Sequence, residues 1–252
     1  MSETLKAETE EQVLDTIKWA VAERKSLDVR GTGSKSKLGR PMKLDHVLDL
    51  SALSGVKFYK PAELVLSAGA ATPVAEVEAL LNDQSQQIAF EPPDLGPLLG
   101  NRAGGGTLGG LLACNLAGSR RIKAGSARDH FLGFTAVSGR GEVFKSGGRV
   151  VKNVTGFDLS KLMAGSYGTL AVMTEVTVKV LPAPEKIRTV LITWERDGIY
   201  DHGGTKAMID ALASPHEVSG AAHLPAAVAG RSSVGYVASG GCAVTAIRVE
   251  GP

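Results

Sequence analysis

The amino-acid sequence predicts an α+β fold, in which helices pack on mixed β-sheets. Apolar residues recur at helical spacing near the N-terminus, the segment 132–145 has the composition of a β-hairpin, and residues 170–181 alternate between apolar and polar. With 252 residues, of which 43% are hydrophobic, the chain is long enough for one full domain and a smaller second one.

Thr9 and Gln12 form a potential capping box at the start of the first helix. Its predicted apolar face consists of Val13, Leu14, Ile17 and Val21. A short apolar strand at 27–29 follows, and a second strand is predicted over 62–70. Thr72 before Pro73 is typical of an N-cap followed by the first helical turn, so we expect a helix from there to about Asp83.

Later elements are predicted from hairpin and strand patterns. A Gly-Arg-Gly turn at 139–141 is expected to join two strands of a hairpin, and 170–181 is expected to be a strand with its valines on one buried face. The C-terminal part predicts a strand over 187–194, a helix over about 205–212 and a strand over 244–249.

Composition excludes several classes of function. The chain has 28 basic and 26 acidic residues, a net charge of +2, which argues against an extended nucleic-acid surface. Its two cysteines, Cys114 and Cys242, form no disulfide framework, which favours a reducing cytoplasmic setting. The histidines lack metal-ligand spacing, and no apolar run is long enough for a membrane span, so we expect neither a metal site nor direct membrane insertion.

The most informative segment is the glycine-rich run at 103–118, AGGGTLGGLLACNLAG. Glycines let the backbone approach a ligand closely, and successive N–H groups at a helix start can bind an anion, so a dinucleotide diphosphate is the expected ligand. Gly104, Gly106 and Gly109 match the G-x-G-x-x-G spacing of nicotinamide-binding folds. The preceding EPPDLGPLLGNR is a predicted loop rather than a strand, and Asp129 precedes the next strand instead of ending it, which argues against that fold.

A second glycine-containing loop, RGTGSKSK at 30–37, follows the strand at 27–29 and carries two lysines, without a Walker motif. Together the two loops favour a site in which a diphosphate cofactor is bound from two sides. The alternative is that they are surface loops that bind nothing. The basic cluster Arg120, Arg121 and Lys123 either contacts a phosphate or an acidic substrate or is a solvated surface.

Six motifs follow one another in an order that resembles the FAD-binding domain of the vanillyl-alcohol oxidase and p-cresol methylhydroxylase (PCMH) family. They are RGTGSKS, PAELVLSAGAATPVAEVEALL, EPPD, the glycine-rich run, GSARDHFLGFTAVSGRGEV and KNVTGFDLSKLMAGSYGTLAVMTEVTVKVLP. Within that family the sequence is most similar to the second flavin-binding subunits of bacterial glycolate oxidases, and this similarity rests on the motifs EPPD, LLACNLAGSRR, GSARD and MAGSYGTLAVMTE. The resemblance implies a PCMH-type FAD-binding domain of two α+β subdomains over 1–185, followed by a partial α/β cap domain over 186–252.

The resemblance also implies which residues bind FAD. In relatives the first loop wraps the diphosphate through backbone amides, the glycine-rich run passes beside the diphosphate and the flavin, and a later strand meets the adenine. Transferred to this sequence, the expected cofactor-binding residues are Gly31, Thr32, Gly33, Ser34, Lys35, Pro92, Thr107, Gly109, Gly110, Cys114, Asn115, Gly118, Gly125, Ser126 and Val172.

Departures from the family refine the expected chemistry. Some relatives tether the flavin to a histidine where this chain has Ser34, so FAD is expected to be non-covalent. Phe157 stands where many relatives have tyrosine, and Tyr167 where catalytic hydroxyacid dehydrogenases commonly have glutamate. His130, Lys152 and Asn153 are further candidates for lining a substrate site, and no catalytic residue is assigned.

The implied function is that of an FAD-binding subunit of a glycolate oxidase or dehydrogenase complex, which oxidises glycolate, a 2-hydroxy acid, to glyoxylate by hydride transfer to flavin. Its expected partners are a catalytic FAD subunit and an iron–sulfur subunit, with a cytoplasmic location or membrane association through the complex. Two alternatives remain open: a free-standing FAD-dependent D-2-hydroxyacid (D-lactate) dehydrogenase, and a flavin-free scaffold subunit.

Overall fold

A computed structural model describes residues 3–148, 156–194 and 200–251. The chain divides into two compact units. The first comprises Met1–Gly118 and Gly125–Ala183, and the second comprises Ser119–Ala124 and Pro184–Pro252. The short segment after the glycine-rich run is therefore part of the second unit, although the sequence on both sides of it belongs to the first.

The first unit begins with a small parallel sheet and one helix. In chain order these elements are β1 (Glu3–Lys6), α1 (Glu10–Ala22), β2 (Leu27–Arg30) and β3 (His46–Asp49). The strand order is β1–β3–β2, and both pairs are parallel. Leu48 and Leu50 pack with the buried face of α1 in one hydrophobic cluster.

The predicted N-cap of α1 is confirmed, since the Gln12 N–H donates to Thr9 Oγ1 at 3.3 Å. The reciprocal half of the capping box does not form, because Gln12 Oε1 accepts the N–H of Glu8 rather than that of Thr9. Its buried face consists of Val13, Ile17 and Ala20. The prediction that Val21 lies on this face is wrong, because Val21 is 55% exposed. At 3.6 residues per turn Ala20 lies closer than Val21 to the stripe that Val13 and Ile17 define.

The remainder of the first unit is built on a five-stranded antiparallel sheet. From residue 56 to residue 182 the helices and strands are β4 (Val56–Lys60), β5 (Val65–Gly69), α2 (Val74–Asn82), β6 (Gln86–Gln87), α3 (Leu108–Ala113), α4 (Arg121–Ala124), α5 (Ala127–His130), β7 (Phe131–Ser138), β8 (Val143–Gly147), α6 (Leu159–Met163), β9 (Ala171–Lys179) and β10 (Leu181–Pro182). The sheet order is β4–β5–β9–β7–β8, and β10 pairs with β6. Two sheets with attached helices, one parallel and one antiparallel, confirm the α+β prediction.

The central strand β9 is buried on both faces, whereas the sequence predicts one buried face. Met173, Thr174 and Thr177 are each less than 8% exposed. Met173 and Val176 lie in the main core cluster, while Val172 packs with the cluster beneath α1. A central strand with hydrophobic clusters on both sides has no solvent-facing side, so the alternation in its sequence does not mark exposure.

The predicted N-cap of α2 is also wrong. The N-cap position is Pro73, and the Thr72 hydroxyl instead donates to the Gly69 carbonyl at 2.7 Å and accepts the Gly55 N–H at 2.9 Å. The Val74 N–H at the start of the helix donates to the Gly106 carbonyl at 3.0 Å. A backbone acceptor from the glycine-rich run thus replaces the side-chain cap.

The second unit contains a three-stranded sheet. Its elements are β11 (Lys186–Trp194), α7 (Tyr200–Leu212), β12 (Val218–Leu224), α8 (Ala226–Ala229), α9 (Gly235–Ser239) and β13 (Ala243–Gly251), together with α4. β13 lies between β11 and β12 and is antiparallel to both. The outer strands are therefore parallel to each other, with α7 in the crossover between them.

The segment that carries α4 is fixed in this unit by a buried ion pair. Arg120 Nε lies 3.1 Å from Glu250 Oε1, and both side chains are less than 10% exposed. Burial alone would raise the pKa of Glu250, but hydrogen bonds and charge from Arg120, together with the nearby Arg248, hold it below its usual range. Lys123 pairs with Glu217. In the sequence-predicted basic cluster, Arg120 and Lys123 thus serve internal ion pairs, and Arg120 is not on a solvated surface.

Candidate cofactor site

A cavity of about 390 Å³ lies within the first unit. It is lined by residues 28–36, 38, 40–42, 50, 70–71, 107, 109–110, 113–114, 167–168 and 171–173. These positions come from β2 and the loop after it, from the residues that follow β3 and β5, from α3 and its two cap residues, and from β9 and the turn before it. The volume is within the range of small-molecule and cofactor sites.

The loop after β2 offers open backbone donors to this cavity. Within the described ranges, the five consecutive N–H groups from Gly31 to Lys35 donate to no protein acceptor. Gly33 has a φ of +71°, a left-handed conformation that turns the chain at this point. Successive free N–H groups around such a turn form a site for an anion, and every residue of this segment lines the cavity.

Contacts with the glycine-rich region fix the position of this loop. The Thr32 hydroxyl donates to the Gly105 carbonyl, and Asn101 Nδ2 donates to the Ser34 carbonyl at 2.9 Å. Asp94 accepts the Gly104 N–H at 2.7 Å and the Gly96 N–H at 2.9 Å. These two hydrogen bonds hold the pKa of Asp94 below its usual range. The sequence analysis did not identify Asn101 or Asp94 as residues that support the site.

The first turn of α3 differs from the sequence expectation. Its N–H groups are satisfied inside the protein: Leu108 donates to the Thr72 carbonyl at 2.9 Å, Gly109 to the Ala70 carbonyl at 2.7 Å, and Gly110 to Thr107 Oγ1 at 3.3 Å. The prediction that the run offers these amides to a diphosphate is therefore wrong for all three donors.

The glycines of α3 are required for close packing. A Cβ atom at Gly109 would lie 2.7 Å from Ala70 Cβ, a distance that packed side chains do not adopt. A Cβ atom at Gly110 would lie 2.9 Å from Thr107 Oγ1 and 3.5 Å from Lys35 Nζ, so a side chain there would occupy space beside the lysine. Gly109 thus allows α3 to pack closely against Ala70, which follows β5, and Gly110 leaves the space beside Lys35 unfilled.

Lys35 and Cys114 line the same cavity. Burial lowers the pKa of Lys35, while the charge of the nearby Asp94 carboxylate opposes that shift. Burial raises the pKa of the Cys114 thiol, and the charge of Lys35 opposes the rise only in part. The thiol is therefore held protonated and is a weak nucleophile, whereas the lysine is a partly desolvated cation that an anionic ligand would stabilise.

Ten of the fifteen predicted cofactor-binding residues line the cavity, namely Gly31, Thr32, Gly33, Ser34, Lys35, Thr107, Gly109, Gly110, Cys114 and Val172. The other five, Pro92, Asn115, Gly118, Gly125 and Ser126, lie outside its lining. Asn115 Oδ1 accepts the Arg128 N–H at 2.9 Å, and Ser126 donates its N–H and its hydroxyl to Asp129 at 2.8 and 2.9 Å. Both of these side chains secure the start of α5.

The candidates for a substrate site are not gathered at the cavity. His130 is buried against the Phe90 ring, with Nδ1 3.2 Å from the Lys179 carbonyl, and does not line the cavity. Phe157 is 89% exposed and also lies outside the lining. Lys152 and Asn153 fall outside the described residues. No catalytic role follows from the position of His130 or Phe157.

The structure adds lining residues that sequence reasoning missed. Asp28 and Arg30 form an ion pair at the edge of the cavity, with Arg30 Nε 2.9 Å from Asp28 Oδ2. Their alternation with apolar residues in β2, directly before the glycine loop, was a usable signal. Met42 and Tyr167 also line the cavity. Nothing in the local sequence pattern connects Met42 to the site.

The described part of the chain contains no cluster of three or more His, Cys, Asp or Glu side chains arranged to hold a metal ion. None of its helices combines the length and the apolar character needed to cross a bilayer.

Comparison with known proteins identifies the family. The FAD binding domain family matches residues 2–147, more than half of the chain. Glycolate oxidase subunit GlcE of Escherichia coli is 42% identical over 172 residues, which are 68% of this chain and 47% of the relative. D-lactate dehydrogenase of Anaerostipes hadrus is 40% identical over 120 residues, covering 46% of this chain and 24% of that protein.

Glycolate oxidase subunit GlcD of Bacillus subtilis is 40% identical over 89 residues, covering 35% of this chain and 19% of that protein. The chain thus spans less than half the length of these relatives. A solved alkyldihydroxyacetonephosphate synthase shares the fold with a TM-score of 0.73 at 17% identity, covering 99% of this chain and 47% of that one.

The cavity fits the cofactor that the family implies. FAD carries an anionic diphosphate, and the open N–H groups of Gly31 to Lys35 and the partly buried Lys35 cation are suitable partners for it. FAD also carries flat ring systems, which suit walls that include Ala70, Ala113 and Val172. The chain therefore belongs to the FAD binding domain family, and its cofactor is FAD.

Proposed function

We propose that this chain is an FAD-binding subunit of a glycolate oxidase or dehydrogenase complex, which oxidises glycolate to glyoxylate. The observation that carries the proposal is the 42% identity over 172 residues to a protein named as a glycolate oxidase subunit. The matches to D-lactate dehydrogenase and to GlcD cover smaller shares of this chain. When bound, FAD supplies an acceptor for the hydride that leaves the substrate carbon.

The role of this chain's own residues is to bind and orient FAD. The amides of Gly31 to Lys35 donate to the diphosphate, and Lys35 adds a cation whose charge the diphosphate stabilises. Hydrogen bonds to a charged group contribute about 1.5–3 kcal/mol each, and micromolar affinity corresponds to about 8 kcal/mol. A handful of these donors would therefore supply much of the free energy of micromolar binding.

The same residues favour non-covalent FAD. Ser34 is a buried hydroxyl beside Lys35 Nζ, 3.2 Å from it, and a neutral serine hydroxyl is a poor nucleophile toward flavin. Cys114 is held as a protonated thiol. We therefore expect acid precipitation to release the flavin into solution, while a yellow precipitate would contradict this part of the proposal.

Substrate oxidation is assigned to the complex. We propose that a catalytic flavoprotein subunit supplies the groups that hold the hydroxy acid and remove its proton, and that an iron–sulfur subunit carries the electrons onward. The packing of His130 against Phe90 supports this division, because it removes that histidine from the cavity lining.

The deciding experiment is the visible spectrum of the purified chain after incubation with FAD and desalting, followed by anaerobic glycolate with and without the two partner subunits. Retained flavin that bleaches only when the partners are present supports a complex subunit. Bleaching with D-lactate or glycolate in the absence of partners would instead favour a free-standing dehydrogenase. Failure to retain flavin would favour a scaffold and overturn the proposal.

A further inference from the structure

Tyr167 combines a strained backbone with a place at the cavity. It has a φ of +54°, in the left-handed region that bulky side chains disfavour. Among the described residues that line the cavity, it is the one with an aromatic ring. Residues in this conformation cost free energy and are enriched at active and ligand sites, where the surrounding structure holds them in place.

The strain is maintained by backbone contacts rather than by packing of the ring. The Tyr167 N–H donates to the Ala113 carbonyl at 2.9 Å, and the Gly165 N–H donates to the Leu112 carbonyl at 3.3 Å. The turn is thus fastened to the last residues of α3. The tyrosine itself is 59% exposed, so burial in the core does not explain why an aromatic residue occupies this conformation.

The turn and the amide loop lie at opposite ends of α3. A Cβ atom at Gly31 would lie 3.1 Å from the side chain of Thr107, the N-cap of α3, whereas Tyr167 is bonded to Ala113 at the other end. Six residues of helix rise about 9 Å. This separation is of the order that divides the diphosphate of FAD from the centre of either of its ring systems.

We propose that Tyr167 is a positioning residue whose ring stacks on a planar ring system of FAD at the edge of the cavity. Small residues line the same cavity as the tyrosine, namely Cys114, Gly168 and Ala171, and leave room for a flat group. Aromatic stacking on a nucleotide ring is independent of hydrogen-bond pattern, so either the adenine or the isoalloxazine is a suitable partner. The inference rests on the proposed function only in that FAD occupies this cavity.

The test compares Tyr167→Gly and Tyr167→Phe with the parent chain. Glycine relieves the positive φ and removes the ring, so the ligand-free protein should melt at the same temperature or higher, while the dissociation constant for FAD should rise about tenfold. Phenylalanine keeps the ring, and we expect it to bind FAD within about twofold of the parent. A purely structural tyrosine would not give a more stable but weaker-binding glycine variant.

Titrations with ADP and with FMN identify the stacked ring. A weaker affinity of Tyr167→Gly for ADP alone assigns the adenine, whereas a weaker affinity for FMN, with brighter bound-flavin fluorescence, assigns the isoalloxazine. Equal binding of all three ligands by Tyr167→Gly and the parent would overturn the inference and leave the proposed function intact. A parent chain that binds no FAD would overturn both.

A control variant covers the case in which the glycine destabilises the turn. Tyr167→Asn keeps a side chain that tolerates positive φ, and it should behave as the glycine variant does. If both variants lose thermal stability together with FAD affinity, the ring is structural and the inference is wrong.

Discussion

The two glycine-containing loops differ in how they use their backbone. In the loop at 31–35, consecutive N–H groups donate to no acceptor within the described residues, and the chain turns through a left-handed Gly33. In α3, the N–H groups of the first turn are all bonded to the protein, and Gly109 packs directly against Ala70. Glycine thus frees donors for a ligand in the first loop and permits close packing in the second.

Glycine content therefore does not by itself mark an anion site. What matters is whether carbonyl groups of other segments of the protein accept hydrogen bonds from the N–H groups. The carbonyls of Ala70 and Thr72, which follow β5, accept the first N–H groups of α3. No carbonyl of the described chain accepts a hydrogen bond from the N–H groups of 31–35, so those donors stay open.

The largest effect is expected for Gly109→Val. The added side chain would overlap Ala70, which is itself buried, so the free energy of unfolding should fall by about 3 kcal/mol or more. Thermal unfolding followed by circular dichroism measures this loss. The matched control is Gly106→Ala, whose Cβ atom would meet Val74 at an ordinary 3.6 Å. If Gly109→Val melted at the parent temperature, α3 would not depend on close packing.

Gly110→Val should separate binding from folding. Its side chain would enter the space beside Lys35 and Thr107, so FAD affinity should fall more than 100-fold, equivalent to about 3 kcal/mol, while unfolding changes by about 1 kcal/mol. The measurement is flavin content after desalting, together with a melting curve. Parent-like FAD content in this variant would refute the assignment of the cavity.

Lys35→Ala should weaken FAD binding by about tenfold to a hundredfold without abolishing it, because the amides of the loop remain. Its pKa is lowered by burial, so in the parent chain FAD affinity should decline as the pH rises through that lowered pKa. The variant should lack this decline. Without FAD, the free energy of unfolding should instead rise with pH between the folded and the unfolded pKa of Lys35, because the unfolded chain binds the proton more tightly.

Isothermal titration at several pH values above neutrality checks this prediction. Lys37→Ala is the matched control, since Lys37 does not line the cavity. An unchanged pH dependence in Lys35→Ala would show that another group titrates.

The smallest effect is expected for Asp94→Ala, which removes the acceptor of the Gly96 and Gly104 N–H groups. Because the carboxylate is exposed, the loss in the free energy of unfolding at neutral pH should stay below about 1 kcal/mol. The pKa of Asp94 is lowered, so its contribution is present above the unfolded pKa and disappears as the pH falls through the folded one. The difference in the free energy of unfolding between Asp94→Ala and the parent, measured with denaturant, should therefore be smaller in acid than near neutrality. A difference that persisted in acid would contradict this origin.

The sequence predicted much of the fold and a part of the site. The N-cap of α1, the hairpin β7–β8 and strands β11 and β13 of the second unit follow from local patterns. Predictions from local patterns were wrong where residues far away in the sequence determine a residue's environment. Val21 was placed on the wrong face, Thr72 was assigned as a cap, and β12 was not predicted, since its sequence VSGAAHL has no clear alternation.

The amino-acid sequence alone determined the type of the strongly patterned elements, such as α1, β7, β8 and β13, the glycine turn at 33 and the order of motifs that identifies the FAD-binding family, because these depend on residues close together in the chain. Only the tertiary structure decided which amides stay open. That choice depends on carbonyls more than thirty residues away, such as those of Thr72 and Ala70 for α3. It also decided that Arg120 is neutralised by Glu250, because an ion pair requires proximity in space and these residues are 130 positions apart.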